Sequence, residues 1–167
     1  MSRRTSKITG QFVAHLVEMR LSPAWQALRG TDKLALERIE LEHVGHGGQE
    51  NGQLVVTFSD LAKHGVDRKA VAGCLARLEA LGFVVCECRG RASAAEFRHP
   101  SRYRVTYLPG NTLQTDEWRR VADAEDAQHR IERALKALRE RTVKLRKSLA
   151  KKRSGEALHS SREEDAA

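Results

Sequence analysis

No run of this sequence stays apolar for the roughly 18 residues that a membrane span requires, so no transmembrane helix is expected. The amino-terminal "MSRRTSKITG" is basic, but no apolar core follows it, which argues against a secretory leader. Cysteine is scarce. Cys74, Cys86 and Cys88 make an odd set in a chain of 167 residues, which is no disulfide framework and suits a reducing cytoplasm. No internal repeat is visible. No nucleophile stands beside an obvious base, no glycine-rich phosphate loop occurs, and no pair of carboxylates has a recognisable catalytic setting, so the chain is not read as an enzyme. Proline and glycine are missing between Thr115 and Ser154, which leaves room for one long helix.

What is present is charge, unevenly placed. The formal net charge is +8. Residues 1–29 hold five basic and one acidic side chain, and residues 130–153 hold eleven and two. Between them, residues 30–109 are nearly balanced at eleven and ten, and residues 110–129 are acidic. The closing residues 154–167 are acidic again, with one basic and four acidic side chains. A near-neutral body with basic end regions suits a polyanion such as nucleic acid. A solvated charged helix would give the same totals, so composition alone leaves both readings open.

The order of elements narrows the choice. Residues 1–10 read as a basic arm and 11–110 as one domain. In "QFVAHLVEMRL", Phe12, Val13, Leu16 and Val17 have helical spacing. "SPAWQALRG" follows as a short helix with Ser22 as cap, Pro23 at its first position and Gly30 closing it. Thr31 is placed to cap a third helix, with Leu34, Ile39 and Leu41 offered to the core. "GHGGQENGQ" must be a loop, and "LVVTF" a short strand. Ser59 caps the next short helix, in which Leu61 and Ala62 point inward. Gly65 supplies a positive φ, Val66 tucks the turn inward, and Asp67 caps a helix ending at Gly82. "FVVCECR" and "YRVTYL" then form a hairpin around "GRASAAEFRHPS". Pro109 and Gly110 mark the boundary. Residues 111–153 form a long basic helix, with Trp118 and Val121 packing back on the domain, and 154–167 a disordered acidic tail.

The expected fold is mainly α with a small antiparallel β-hairpin: a winged helix-turn-helix followed by a long C-terminal helix. The helix from about Asp67 to Leu81 has a peculiar division. Val71, Leu75, Leu78 and Leu81 make a core stripe, while the other side carries Lys69, Ala72, Gly73, Ala76 and Ala80. A recognition helix must come close to base edges, and a shaved surface allows this. Arg68 and Lys69 stand at its amino end, within reach of phosphates. Small residues serve equally well where a helix is buried on both sides against another element. The following hairpin is basic, which favours the nucleic-acid reading. It carries Arg89, Arg91 and Arg98, with Arg102 and Arg104 on the strand, where charge also protects a sheet edge.

"LAKHGVDRKAVAGCLARLEALGFV", with "GRASAAEF" and "YRVTYL", resembles bacterial winged helix-turn-helix proteins. The longer "LEHVGHGGQENGQLVVTFSDLAKHGV" is similar to a group of small helix-turn-helix proteins of alphaproteobacteria and their mobile elements. The likeness covers roughly residues 20–120 and implies DNA binding. By analogy the groove-facing positions are Arg68, Lys69, Ala72, Gly73 and Ala76, and the wing is Arg89, Arg91 and Arg98. One departure is that only Lys63 and His64 separate Ala62 from Gly65, where the family's usual pattern has three residues.

His43 and His46, with Glu42 and Glu50, or Cys86 with Cys88, lack the four paired ligands of structural zinc, so no metal and no cofactor is expected. In the C-terminal helix, Ile131, Leu135, Leu138, Leu145 and Leu149 are spaced by four, three, seven and four. This is a short heptad seam for a homodimer. A basic arm on DNA backbone is compatible with it, and a membrane-surface helix fits less well because the stripe has no aromatic residue. The functional expectation is a sequence-specific double-stranded DNA-binding protein in the cytoplasm with the nucleoid: a transcriptional regulator, or a replication or accessory factor of a mobile element. No membrane and no small-molecule ligand enters this reading. The alternative is a winged-helix adaptor or oligomerisation scaffold.

Overall fold

The computed structural model describes residues 9–90, 100–110 and 113–164, with side chains placed up to Ala150. Arg91 and Arg98 lie outside the described residues, as does most of the amino-terminal arm. The chain is mainly helical, with a three-stranded antiparallel sheet and a long C-terminal helix.

The segment expected to be the first helix is non-helical through Leu16, and α1 spans only Val17–Leu21. Phe12, Leu16 and Val17 are exposed, contrary to the expected helical stripe, while Val13 is half-buried against the core. His15, ahead of α1, and Met19, within it, turn inward instead. Met19 is fully buried. The His15 ring meets the Glu40 carboxylate at 2.6 Å, and Glu40 also accepts from the Tyr107 hydroxyl. Helix α2, Pro23–Gln26, begins as the sequence implies: the Ser22 hydroxyl accepts from the Trp25 N–H at 3.2 Å.

Helix α3, Gly30–Gly45, starts one residue before Thr31, the expected cap. The Asp32 carboxylate reaches back to the Arg29 N–H at 3.0 Å and does that work. Its inward stripe is Asp32, Ala35, Leu36, Ile39, Glu40 and His43. Leu34 and Leu41 fall on the outer side, so of the three residues offered to the core only Ile39 enters it. Strand β1, Leu54–Val55, leads into α4, Phe58–Lys63. Thr57, two residues ahead of Ser59, caps α4: Asp60 N–H donates to its hydroxyl, and the Asp60 carboxylate accepts from the Thr57 N–H. The reciprocal pairing of Thr and Asp three apart outcompetes a lone serine.

Gly65 has φ +95° and closes α4, and Val66 is buried behind it. Asp67 holds the following turn through the Lys69 N–H at 2.7 Å, and helix α5 runs Val71–Ala80. Strands β2, Val84–Cys88, and β3, Arg102–Val105, complete the sheet in the order β1-β3-β2, with Tyr103 opposite both Leu54 and Cys86. Buried Asn51 ties the loop before β1 to the end of β3. Its amide donates to the Val105 and Leu108 carbonyls and accepts from the Val105 N–H, each at 2.8 Å. Trp25, Phe83, Tyr107 and His15 meet edge to face at the centre of the core.

The long helix does not begin at Thr115. A 3₁₀ turn, Glu117–Arg120, buries Trp118, then Val121 is buried, and α6 runs Ala124–Glu164. Asp123 accepts from the Asp126 N–H at 2.8 Å at its start. The backbone stays helical past Arg153 and through Gly155 as far as Glu164, whereas the sequence predicts a helix over 111–153 and a disordered tail over 154–167. A single helical glycine costs only about 1 kcal/mol and does not by itself end a helix.

Candidate nucleic-acid interface

Helix α5 is the element on which the sequence-based site rests. Val71, Cys74, Leu75, Arg77 and Leu78 face the core as a helical stripe. Arg77 is the unexpected member. Its guanidinium forks onto the fully buried Asp32 carboxylate of α3 at 2.6 and 2.8 Å, locking α5 to α3. The hydrogen bonds to Asp32 hold the Arg77 charge above the ordinary guanidinium range, against the burial that opposes it.

The opposite side of α5 faces α6 rather than solvent. Ala72, Gly73, Ala76 and Ala80 are half-buried, and no α5 residue is exposed. A Cβ placed on Gly73 would lie 3.9 Å from a Leu135 methyl and 3.3 Å from the Arg77 guanidinium. Ala72, Ala76 and Ala80 line a groove of about 570 Å³ whose other walls are Ala134, Ala137, Leu138 and Arg141 of α6, with Cys86, Arg89 and Tyr103 of the sheet. The small-residue face is therefore occupied within the chain, as in the helix-packing alternative open at the sequence level. The second small-residue surface, Ala134 with Ala137, was the readable sign of it.

Of the expected contact residues, Arg68 and Lys69 are exposed at the amino end of α5. Arg68 has one long contact, to the Ser59 hydroxyl at 3.5 Å. Arg89 is exposed but paired with Glu79 at 2.6 Å. Arg102 donates to Gln53, and Arg104 is enclosed by Glu87, Thr115 and Glu117, so Arg104 braces the sheet against the 3₁₀ turn. The structure thus brings Arg68 and Lys69 together and separates them from Ala72, Gly73 and Ala76, which are under α6.

The intended dimer seam divides in the same way. Ile131 is buried in the domain core, and Leu135 and Leu138 are half-buried. Leu145 and Leu149, 59% and 53% exposed, lie beyond the domain with half-exposed Val143. Around them the helix carries Arg133, Lys136, Arg139, Arg141, Lys144, Arg146 and Lys147, all exposed. None of these cations has an ion-pair partner among the described residues.

Histidine and cysteine form no metal centre among the described residues. His46 hydrogen-bonds the Glu42 carbonyl at 2.9 Å, and His43 is buried with its Nδ1 unpartnered. Burial pushes the Cys74 and Cys86 thiols up and the Tyr103 hydroxyl up to about 12, so all three stay protonated near neutral pH. No helix among the described residues is long and apolar enough to cross a membrane. Comparison with known protein families, with curated proteins and with solved structures finds no match to this chain.

Proposed function

We propose that this chain binds double-stranded DNA as a winged helix-turn-helix protein, serving as a transcriptional regulator or as a replication or accessory factor of a mobile element. The observation that carries this reading is the set of exposed cations on α6, without ion-pair partners among the described residues, together with exposed Arg68 and Lys69 in the turn before α5. Uncompensated positive charge concentrated on one arm attracts and steers a polyanion. The order α3-β1-α4-α5-β2-β3, with β3 central in the sheet, suits a winged helix. Three free cysteines suit a reducing compartment shared with DNA.

Fluorescence anisotropy of a 20-base-pair duplex, titrated with protein at several salt concentrations, tests the proposal. Log affinity should fall linearly with log salt, by about 0.9 per phosphate neutralised. Absence of binding at low salt would sink it. One observation favours the adaptor reading instead: α6 already lies against the small face of α5, though it does not fill the space between them. In that case the duplex would be held weakly or not at all, and Leu145 and Leu149 would serve a protein partner or a second copy.

A further inference from the structure

If the chain binds duplex DNA as proposed, α5 faces a steric problem. A helix with its side chains is about 10–12 Å across, and the major groove is about 12 Å wide. Two packed helices, with axes about 8–10 Å apart, cannot enter together. Yet α6 lies against the side of α5 that carries Ala72, Gly73 and Ala76.

We infer that α6 is a removable cover on α5: it occupies the small-residue face in the free protein and leaves it when duplex DNA binds. The inference rests on the DNA-binding reading and adds a regulation to it. Three observations carry it. First, the attachment of α6 is graded. Ala127 and Ile131 are buried, but no residue from Glu132 to Ala150 is. Second, the contact is incompletely filled. A groove of about 570 Å³ opens between α5, α6 and the sheet, with Ala72, Ala76, Ala80, Ala134 and Ala137 along its helical walls, so part of an otherwise extensive α5–α6 contact is left unpacked. Third, α6 carries its own attraction to the ligand that would displace it. Its exposed cations gain phosphate contacts and release counterions once it lies along the duplex.

The non-helical residues 121–123 provide a pivot without any break in α6. Displacement grows with distance from that pivot: Ala127 moves least, and Ile131, about 13 Å along the helix, is drawn out of the core as α6 lifts. At 1.5 Å of rise per residue, a swing of about 30° carries Leu145 roughly 17 Å. Covering α5 also sets the affinity. If the open form is about a tenth of the population, loss of the cover tightens binding about tenfold.

The full chain is tested with spin labels on Leu41→Cys in α3 and Leu145→Cys in α6, with Cys86 and Cys88 replaced by serine, both free and bound to a 20-base-pair duplex. The distance between labels should change by more than about 10 Å on binding. In parallel, Leu135→Asn with Leu138→Asn should bind the duplex about tenfold tighter, and adding Ala76→Glu should cancel the gain. Duplex binding with an unchanged label distance overturns the cover and leaves DNA binding standing. Failure of both the parent and the uncovered variant to bind at low salt overturns the DNA reading, and the cover with it. Binding by the uncovered variant alone supports both. If the double variant does not fold, the label distance on the otherwise intact chain decides.

Discussion

His43 shows how much a single residue owes to its surroundings. In the sequence it looked like a helix-end histidine or a weak metal ligand. In the structure it points into the core, with no partner for its Nδ1, and burial lowers its pKa below the ordinary imidazole range. The unfolded chain protonates His43 as pH falls below about 6.5, whereas the folded chain resists until lower pH. The unfolded state therefore binds more protons in that window, and folding stability falls as pH falls through it. His43→Leu should flatten the pH dependence of the urea midpoint between about pH 7 and 5. An equally steep dependence in the variant would place the titration elsewhere. His46 works in the opposite direction, because its hydrogen bond to the Glu42 carbonyl, then Glu50, raise its pKa, so its contribution is present at low pH and lost as pH rises. Comparing parent with variant isolates His43, since His46 is common to both. The Asp32–Arg77 pair was equally invisible in the sequence, because the two residues are 45 positions apart and each looks like an ordinary surface charge.

At the scale of elements, local signals served well where the cause was local. Ser22 and Pro23 start α2 and Gly65 ends α4, whereas Asp67, expected to cap α5, holds a turn through Lys69 and leaves the cap position to Ala70. They failed where a nearby competitor was stronger, as with Thr57 over Ser59. The junction between α5 and the 3₁₀ turn is set by contact between distant segments. Gly82 has φ +77°, which any residue closing this helix could explain through glycine's freedom. A Cβ there would also stand 2.5 Å from the Glu117 carbonyl carbon and 2.7 Å from the Trp118 nitrogen, both backbone atoms. Gly82→Ala should therefore lose more than the roughly 1 kcal/mol of a strained φ alone, because the Glu117–Arg120 turn must move as well. Urea unfolding measures the loss, and near-ultraviolet circular dichroism of Trp118 reads the displacement. A cost at or below 1 kcal/mol would show that the turn yields freely.

For the whole molecule, the structure redistributes the apolar stripe of α6. Five leucine-type positions looked like one seam, but Ile131 and Leu135 are committed to the chain's own core, and Leu138 borders the groove. What remains around Leu145 and Leu149 is under two heptads, too short to hold a coiled coil alone. The free protein is therefore expected to sediment as a monomer at tens of micromolar. A dimer at equilibrium under those conditions would mean that the distal stripe, or the exposed Phe12, Leu16 and Val17 surface, forms a real interface. Repeating the measurement with Leu145→Lys and Leu149→Lys would separate the two.

Helical character, the loop at the clustered glycines, the strands at their β-branched runs and the charge asymmetry can all be read along the chain alone. Each follows from residues close together in the chain. That one side of α5 must meet something closely is legible there too, since only alanine and glycine stand on it. What it meets is not. A low surface fits a DNA groove and a second helix by the same physics, namely the absence of side chains that would hold a neighbour away. Which neighbour meets that face in the free chain depends on long-range packing, which lays α6 from far along the sequence onto it.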